Sequence, residues 1–217
     1  MDAVLKFDSP EFPSLVYTEL VAQRLANAFG VPVAAGVPVF VGNRYAFASL
    51  MVASHANALT TLSPSRVAEL CRTYPDEVAA LVAFDLLIGN WDRSENAMAA
   101  LGLAPLRMFV AFDHSHALLH VEADSAASID RLARGDLIVQ AHPFFRRVDR
   151  GRLMLWVSRI QALSKHMWEH CAGARPLPQV TEEISRALAT ALQHRARALP
   201  TLIEQHAERL LEAASRI

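Results

Sequence analysis

Cysteine is nearly absent from this 217-residue chain, which holds Cys71 and Cys171 and no others. The two stand far apart, each in an apolar, helix-like stretch. That excludes a disulfide scaffold and a CxxC metal site, and it predicts two reduced core residues. Net charge is lacking as well. Twenty-one Lys and Arg against 22 Asp and Glu leave a formal −1, so no overall field draws the chain to nucleic acid or an anionic membrane. No apolar run is long enough to span a bilayer; the longest, Val78 to Gly89, is interrupted by Asp85. The opening MDAVLKFDSPEF carries acids and prolines where a secretion signal needs an unbroken apolar stretch. Repeats and low-complexity tracts are missing too. What is there is apolar: 53% hydrophobic residues suffice for a sizeable core in one large domain or two small lobes. The default expectation is a soluble cytoplasmic protein with no membrane and no direct nucleic-acid contact.

AVLKF near the start is a strand candidate. In LVYTELVAQRLANAFG, Leu15, Val16, Leu20, Leu25, Ala26 and Phe29 recur near helical spacing, and Gly30 with Pro32 stops the helix. VPVAAGVPVFVGNRYAFASLMV is β-branched and aromatic around Gly42-Asn43, which predicts a hairpin. Residues 53–62 read as a linker. Ser63 and Pro64 suit an N-cap and a first turn, opening a short helix over RVAELCRTY. PDEVAALVAFDLLIG is apolar nearly all round, the mark of a buried central helix. NAMAAL and LRMFVAFD are two short strands joined by a Gly-Leu-Ala-Pro turn. Helices over DRGRLMLWVSRIQALSKHMWEH, TEEISRALATALQHRARAL and TLIEQHAERLLEAASRI complete the chain. The expected class is α+β: a small β-containing lobe over residues 1–55 (strand, helix, hairpin) and a larger helical lobe over 56–217 with an inserted hairpin.

Polar residues gather where the apolar segments end. Asn90, Trp91, Asp92, Arg93, Ser94, Glu95 and Asn96 follow the central helix, and Asp113 follows FVAF. Singly, Asp92 and Asn96 suit a helix cap and a turn, Asp113 a strand-end turn, and Lys6 and Glu19 surface charges. Jointly and in this order they supply the parts of phosphoryl transfer. Nucleotide phosphates carry dense negative charge, which magnesium neutralises when oxygen ligands hold it. A carboxylate takes the acceptor's proton, and a lysine fixed by a helical acid steadies the remaining phosphates. The histidines suggest less. His114, His116 and His120 lie close together, and an H-x-H pair shares a strand face, yet no second Cys or His cluster stands at zinc spacing. His166 and His170 in HMWEH lack the glutamate position of the HExxH motif. His142, before Pro143-Phe144-Phe145, reads as loop packing. Trp156 and Trp168 read as core, and the basic stripe of RALATALQHRARAL as a solvated helix face.

VLKF, TELVAQRLANAFGVPV, FDLLIGNWDRSEN and FVAFDHSHALL together resemble the signatures of HipA-like kinases, bacterial members of the wider protein-kinase and phosphatidylinositol-kinase-like fold. The match runs in order over residues 3–120. The resemblance implies ATP and Mg2+ as cofactors, Asp92 as catalytic base, and Asn96 and Asp113 as magnesium ligands. It puts Lys6 on the phosphates with Glu19 holding it, Arg93 bracing the loop, and Asp85 bonding the loop's backbone. The acceptor would be a hydroxyl on a protein Ser or Thr. Two features depart from the pattern. Met1 to Leu5 precede Lys6 without a glycine, where the family pattern has a Gly-rich hairpin over the phosphates. The N-lobe therefore reads as truncated, with the phosphates covered by something else, such as a partner chain. DRSEN also places Asn96 four residues after Asp92 instead of five, with Glu95 as a substitute ligand. The alternative is a catalytically impaired pseudokinase that binds or regulates a partner protein. A helical interaction domain unrelated to kinases is a third reading.

Overall fold

The computed structural model describes residues 2–51, 57–58, 63–94, 96–99, 108–175, 177 and 179–213. Strand β1 (Ala3–Phe7) leads into helix α1 (Leu15–Phe29) and the hairpin β2 (Gly36–Val41) and β3 (Arg44–Leu50). The strands form an antiparallel sheet in the order β1-β3-β2, in register so that Lys6 and Pro38 both face Phe47 across the central strand. The hairpin turns at Gly42, whose φ of 63° is the left-handed conformation a two-residue hairpin loop requires. Helix α1 packs on all three strands. Its first turn is capped from a distance: Asp8 Oδ1 accepts the Val16 N–H at 2.9 Å.

Then come β4 (Asn57–Ala58), α2 (Pro64–Thr73), α3 (Pro75–Ile88), β5 (Ala97–Ala99) and β6 (Phe109–Ala111). Helices α4 (Ser125–Arg134), α5 (Arg150–Gln161), α6 (Lys165–Ala172), α7 (Glu182–Gln205) and α8 (Ala207–Leu210) follow, with a short 3-10 turn over Leu118–His120. The class is α+β. Helix α3 is the axis of the helical part. Every residue from Val78 to Ile88 is buried, and α2, α5 and α7 pack around it. Its end is fixed twice over at Gly89: φ is 70°, and a Cβ there would meet Val121 Cγ1 at 2.9 Å. A second antiparallel sheet has the order β4-β5-β6. The segment between α1 and β2 is stitched to it. Ala34 N–H donates to Ala111 O at 2.7 Å, and Ala111 N–H to Pro32 O at 2.9 Å.

Four expectations need correction. Part of the 53–62 linker, Asn57–Ala58, is a strand paired with β5. The long helix over 149–170 is two helices, because Ser164 interrupts the run and caps α6, its Oγ accepting Met167 N–H at 3.3 Å. Helix α7 is one helix through Pro200. Proline removes the N–H that would have met Ala196 O, and Gln161 Nε2 donates to that oxygen instead, at 3.0 Å. The last predicted helix is thus divided between the end of α7 and the short α8. The Gly-Leu-Ala-Pro turn and Glu95 lie outside the described residues. Cys71 is half-buried and Cys171 buried, both free thiols. Among the described residues, no helix is long and apolar enough to cross a membrane.

Candidate active site

Strand alternation turns Lys6 inward, onto the face of its buried register partner Phe47, while Leu5 points out. There Lys6 Nζ lies 2.5 Å from Glu19 Oε1 and 2.8 Å from Asp113 Oδ1. Glu19 stands on α1 with a side chain only 3% exposed. A second partner makes that burial tolerable: His114 gives Glu19 Oε1 its backbone N–H at 3.0 Å and sets Nδ1 3.3 Å from Oε2. Burial alone would raise the Glu19 carboxyl; His114 and Lys6 together bring it below its usual range. Asp113 follows β6 at φ 55°, a left-handed conformation that Asp tolerates because its short side chain bonds locally, here Oδ1 accepting the Ser115 N–H at 3.2 Å. Burial pushes its carboxyl up as well, but the Lys6 ammonium prevails and holds it well below the usual carboxylate range.

Beyond Gly89 the chain is organised by a buried ion pair. Arg93 meets Asp85 as a two-pronged fork, Nε to Oδ2 at 2.8 Å and Nη2 to Oδ1 at 2.9 Å, with both side chains fully buried. Arg93 Nη1 also donates to Asn96 O at 2.6 Å and Phe112 O at 2.7 Å. Phe112 N–H donates to Asn96 O at 3.0 Å. One guanidinium therefore ties the 90–96 loop to the residue before Asp113. Asp85 acts through its carboxylate on side chains, where the sequence suggested loop backbone. Besides Arg93 it accepts from Asn90 Nδ2 at 3.2 Å and pairs with His142 Nε2 at 3.1 Å. Despite burial, Arg93 and then His142 hold it far on the ionised side.

Asp92 is partly open, 34% exposed, with His116 Nε2 at 3.7 Å from its Oδ2. Asn96 Nδ2 donates back to the Asp92 carbonyl at 2.8 Å. That orients the Asn96 amide and leaves its Oδ1 without a hydrogen bond among the described residues. Asp113 Oδ1 takes Lys6 and the Ser115 N–H at 3.2 Å, and the Ser115 side chain also stabilises the carboxylate. An amide oxygen and a carboxylate oxygen are hard ligands that suit Mg2+, which takes one or two protein oxygens and completes its shell with phosphates and water. No group of three His, Cys, Asp or Glu that could hold a metal occurs among the described residues. The neighbouring cavity, about 260 Å³, is lined by Val4, Lys6, Ser49, Leu50, Met51, Phe112 and Asp113. Larger concavities lie between α4 and α7 and beside α5 and α8, and neither contains these charges.

The three close histidines serve three ends: His114 on Glu19, His116 beside Asp92 and Trp91, and His120 Nδ1 on Ser115 O at 2.9 Å. His142, which the sequence suggested as loop packing, bonds a buried acid as well. It lies 57 residues from the acid it meets, so no local spacing announces it, and its flanking aromatics are equally the mark of packing.

No protein-family model and no curated protein matches the chain. Solved structures do. A proinflammatory kinase of Helicobacter pylori, CtkA, superposes with a TM-score of 0.62 at 15% identity, over 92% of this chain and 91% of that one. A chain of the Shewanella oneidensis MR-1 toxin–antitoxin complex of HipA, HipB and operator DNA superposes with a TM-score of 0.59 at 15% identity. That match covers 95% of this chain and 60% of the other, so this chain spans about three fifths of that neighbour. The likeness shows a HipA-like kinase fold. An unrelated helical domain would keep Lys6 and Asp113 far apart; they are 2.8 Å apart.

Proposed function

We infer that the chain uses its HipA-like kinase fold for ATP- and Mg2+-dependent phosphoryl transfer to a hydroxyl, on a protein Ser or Thr. One observation carries this reading. Lys6, Glu19 and Asp113, from β1, α1 and the end of β6, meet through contacts of 2.5 and 2.8 Å at the edge of one cavity. Lys6 binds phosphate oxygens, and Glu19 fixes the ammonium that does so. Asn96 Oδ1 and Asp113 Oδ2 would hold magnesium, which when bound neutralises phosphate charge. Asp92 accepts the proton of the acceptor hydroxyl as that oxygen bonds to the γ-phosphorus and the bond from that phosphorus to the β,γ-bridging oxygen breaks, releasing ADP. Arg93 keeps the backbones of Asn96 and Phe112 from separating, and so sets the span between the two ligands.

A partner-binding pseudokinase is the second reading, favoured by the four-residue step from Asp92 to Asn96 and by the engagement of Asp113 with Lys6. Calorimetric titration of ATP, with and without magnesium, on wild type and Asp113→Ala separates the two. The kinase reading expects magnesium-dependent binding that disappears in the variant. Absence of binding by folded wild-type protein would overturn it in favour of the pseudokinase.

A further inference from the structure

We propose that His142 is a positioning residue for the Asp92–Asn96 loop, acting through Asp85 and Arg93. The catalytic step it serves rests on the kinase reading; its mechanical role does not. His142 sits between α4 and α5, with a side chain that is 0% exposed. Its tautomer is set by its own turn. The Phe144 N–H donates to Nδ1 at 3.2 Å, so Nδ1 is the bare nitrogen and Nε2 carries the proton. That Nε2–H points at Asp85 Oδ2, 3.1 Å away. The ring is stacked on Phe145 at 5.3 Å between centroids and 26° between planes.

Both ring nitrogens are therefore committed, one to the backbone of the 142–147 turn and one to the acid that orients Arg93. A histidine that merely fills space needs neither. Asp85 Oδ2 has two donors, Arg93 Nε and His142 Nε2. Remove the second and the carboxylate keeps only donors that belong to the loop itself, Asn90 and Arg93, among the described residues, and is free to move with them. The fork then no longer dictates where Nη1 meets Asn96 O and Phe112 O.

Trp91 reports on this loop. It is 46% exposed beside Asp92, whereas Trp156 on α5 and Trp168 on α6 are buried. With 5-fluorotryptophan incorporated, the fluorine spectrum of the full chain resolves the three positions. His142→Phe keeps the stacked ring and loses both hydrogen bonds; His142→Gln retains a donor and an acceptor. The expected result is a shifted or broadened Trp91 signal in the Phe variant, unchanged Trp156 and Trp168 signals, and recovery in the Gln variant. In a phosphoryl-transfer assay the Phe variant should lose about 10–100-fold in kcat with KM for ATP held. A folded Phe variant with an unmoved Trp91 signal overturns the proposal, as does an equal shift in both variants. If the Phe variant does not fold, His142→Leu is read by the same criteria. Should wild type prove inactive, the kinase reading fails while the fluorine spectra still decide the role of His142.

Discussion

Arg93→Met is the perturbation whose size can be worked most directly. The Met side chain replaces the stem of the arginine, so little volume is lost. What remains is the Asp85 carboxylate, fully buried, with Asn90 and His142 as its donors among the described residues. Removing one partner of a buried pair costs about 3–5 kcal/mol, because the other charge stays behind uncompensated. In a chain of this size that lowers Tm by about 6–20 °C. Thermal unfolding followed by circular dichroism at pH 7 measures it. The pH dependence adds a sign test. In wild type, burial pushes the Asp85 carboxyl up but Arg93 holds it below its ordinary 3.8, so its contribution is present above that pH and is lost as the medium turns more acid. In the variant, burial prevails and the folded-state pKa rises above the unfolded one. Asp85 then takes up a proton on folding, and the deficit relative to wild type shrinks between pH 7 and pH 4. A variant melting within about 2 °C of wild type at pH 7, less than roughly 1 kcal/mol, would refute the claim that this ion pair organises the loop. So would a deficit that grows toward acid.

Gly89→Ala should cost about 2 kcal/mol or more, since it combines a left-handed φ of 70° with a 2.9 Å approach to Val121; urea unfolding measures it, and a change under about 0.5 kcal/mol refutes the double constraint at that position. Wild-type stability should fall in two stages on acidification. Burial holds His142 below its ordinary 6.5, so beneath that pH the unfolded chain binds a proton that the native one refuses, and His142→Gln should lessen this stage. Glu19, Asp85 and Asp113, all held low in the fold, add a second loss below their ordinary 4.5 and 3.8. Denaturant titrations from pH 8 to about pH 2 check both stages, and stability that rises between pH 7 and pH 5.5 would contradict the first.

Where a local signal and the global packing agree, the sequence was readable. The all-apolar α3, its stop at Gly89, the Gly42-Asn43 turn and the Ser63-Pro64 start each depend on neighbours within a turn or two. The pairing of Lys6 with Glu19 was expected differently, through the order of residue types along the chain, whereas the contact of Asp113 with Lys6 was not, since the sequence assigned Asp113 to a metal. What escaped depends on distant partners. The capping of α6 by Ser164 competes with an unbroken amphipathic run, and only packing decides it. Asn57–Ala58 is a strand because β5 lies beside it. His142 is defined by Asp85, and nothing in AHPFF specifies a carboxylate.

The proline inside α7 bears on how this sequence could change over generations. Gln161 supplies the hydrogen that Pro200 withholds from Ala196 O, so substitutions at the two sites are ordered in time. A chain with an ordinary residue at 200 has its own N–H for that carbonyl and can lose Gln161 with little effect. Once proline stands there, losing Gln161 leaves an acceptor without its donor where α5 packs on α7, at about 1–3 kcal/mol. Proline is thus most easily gained in a lineage that already carries the glutamine, and the glutamine is most easily lost after the proline has gone. Among relatives, the combination of Pro200 with an apolar residue at 161 should be the rare one of the four.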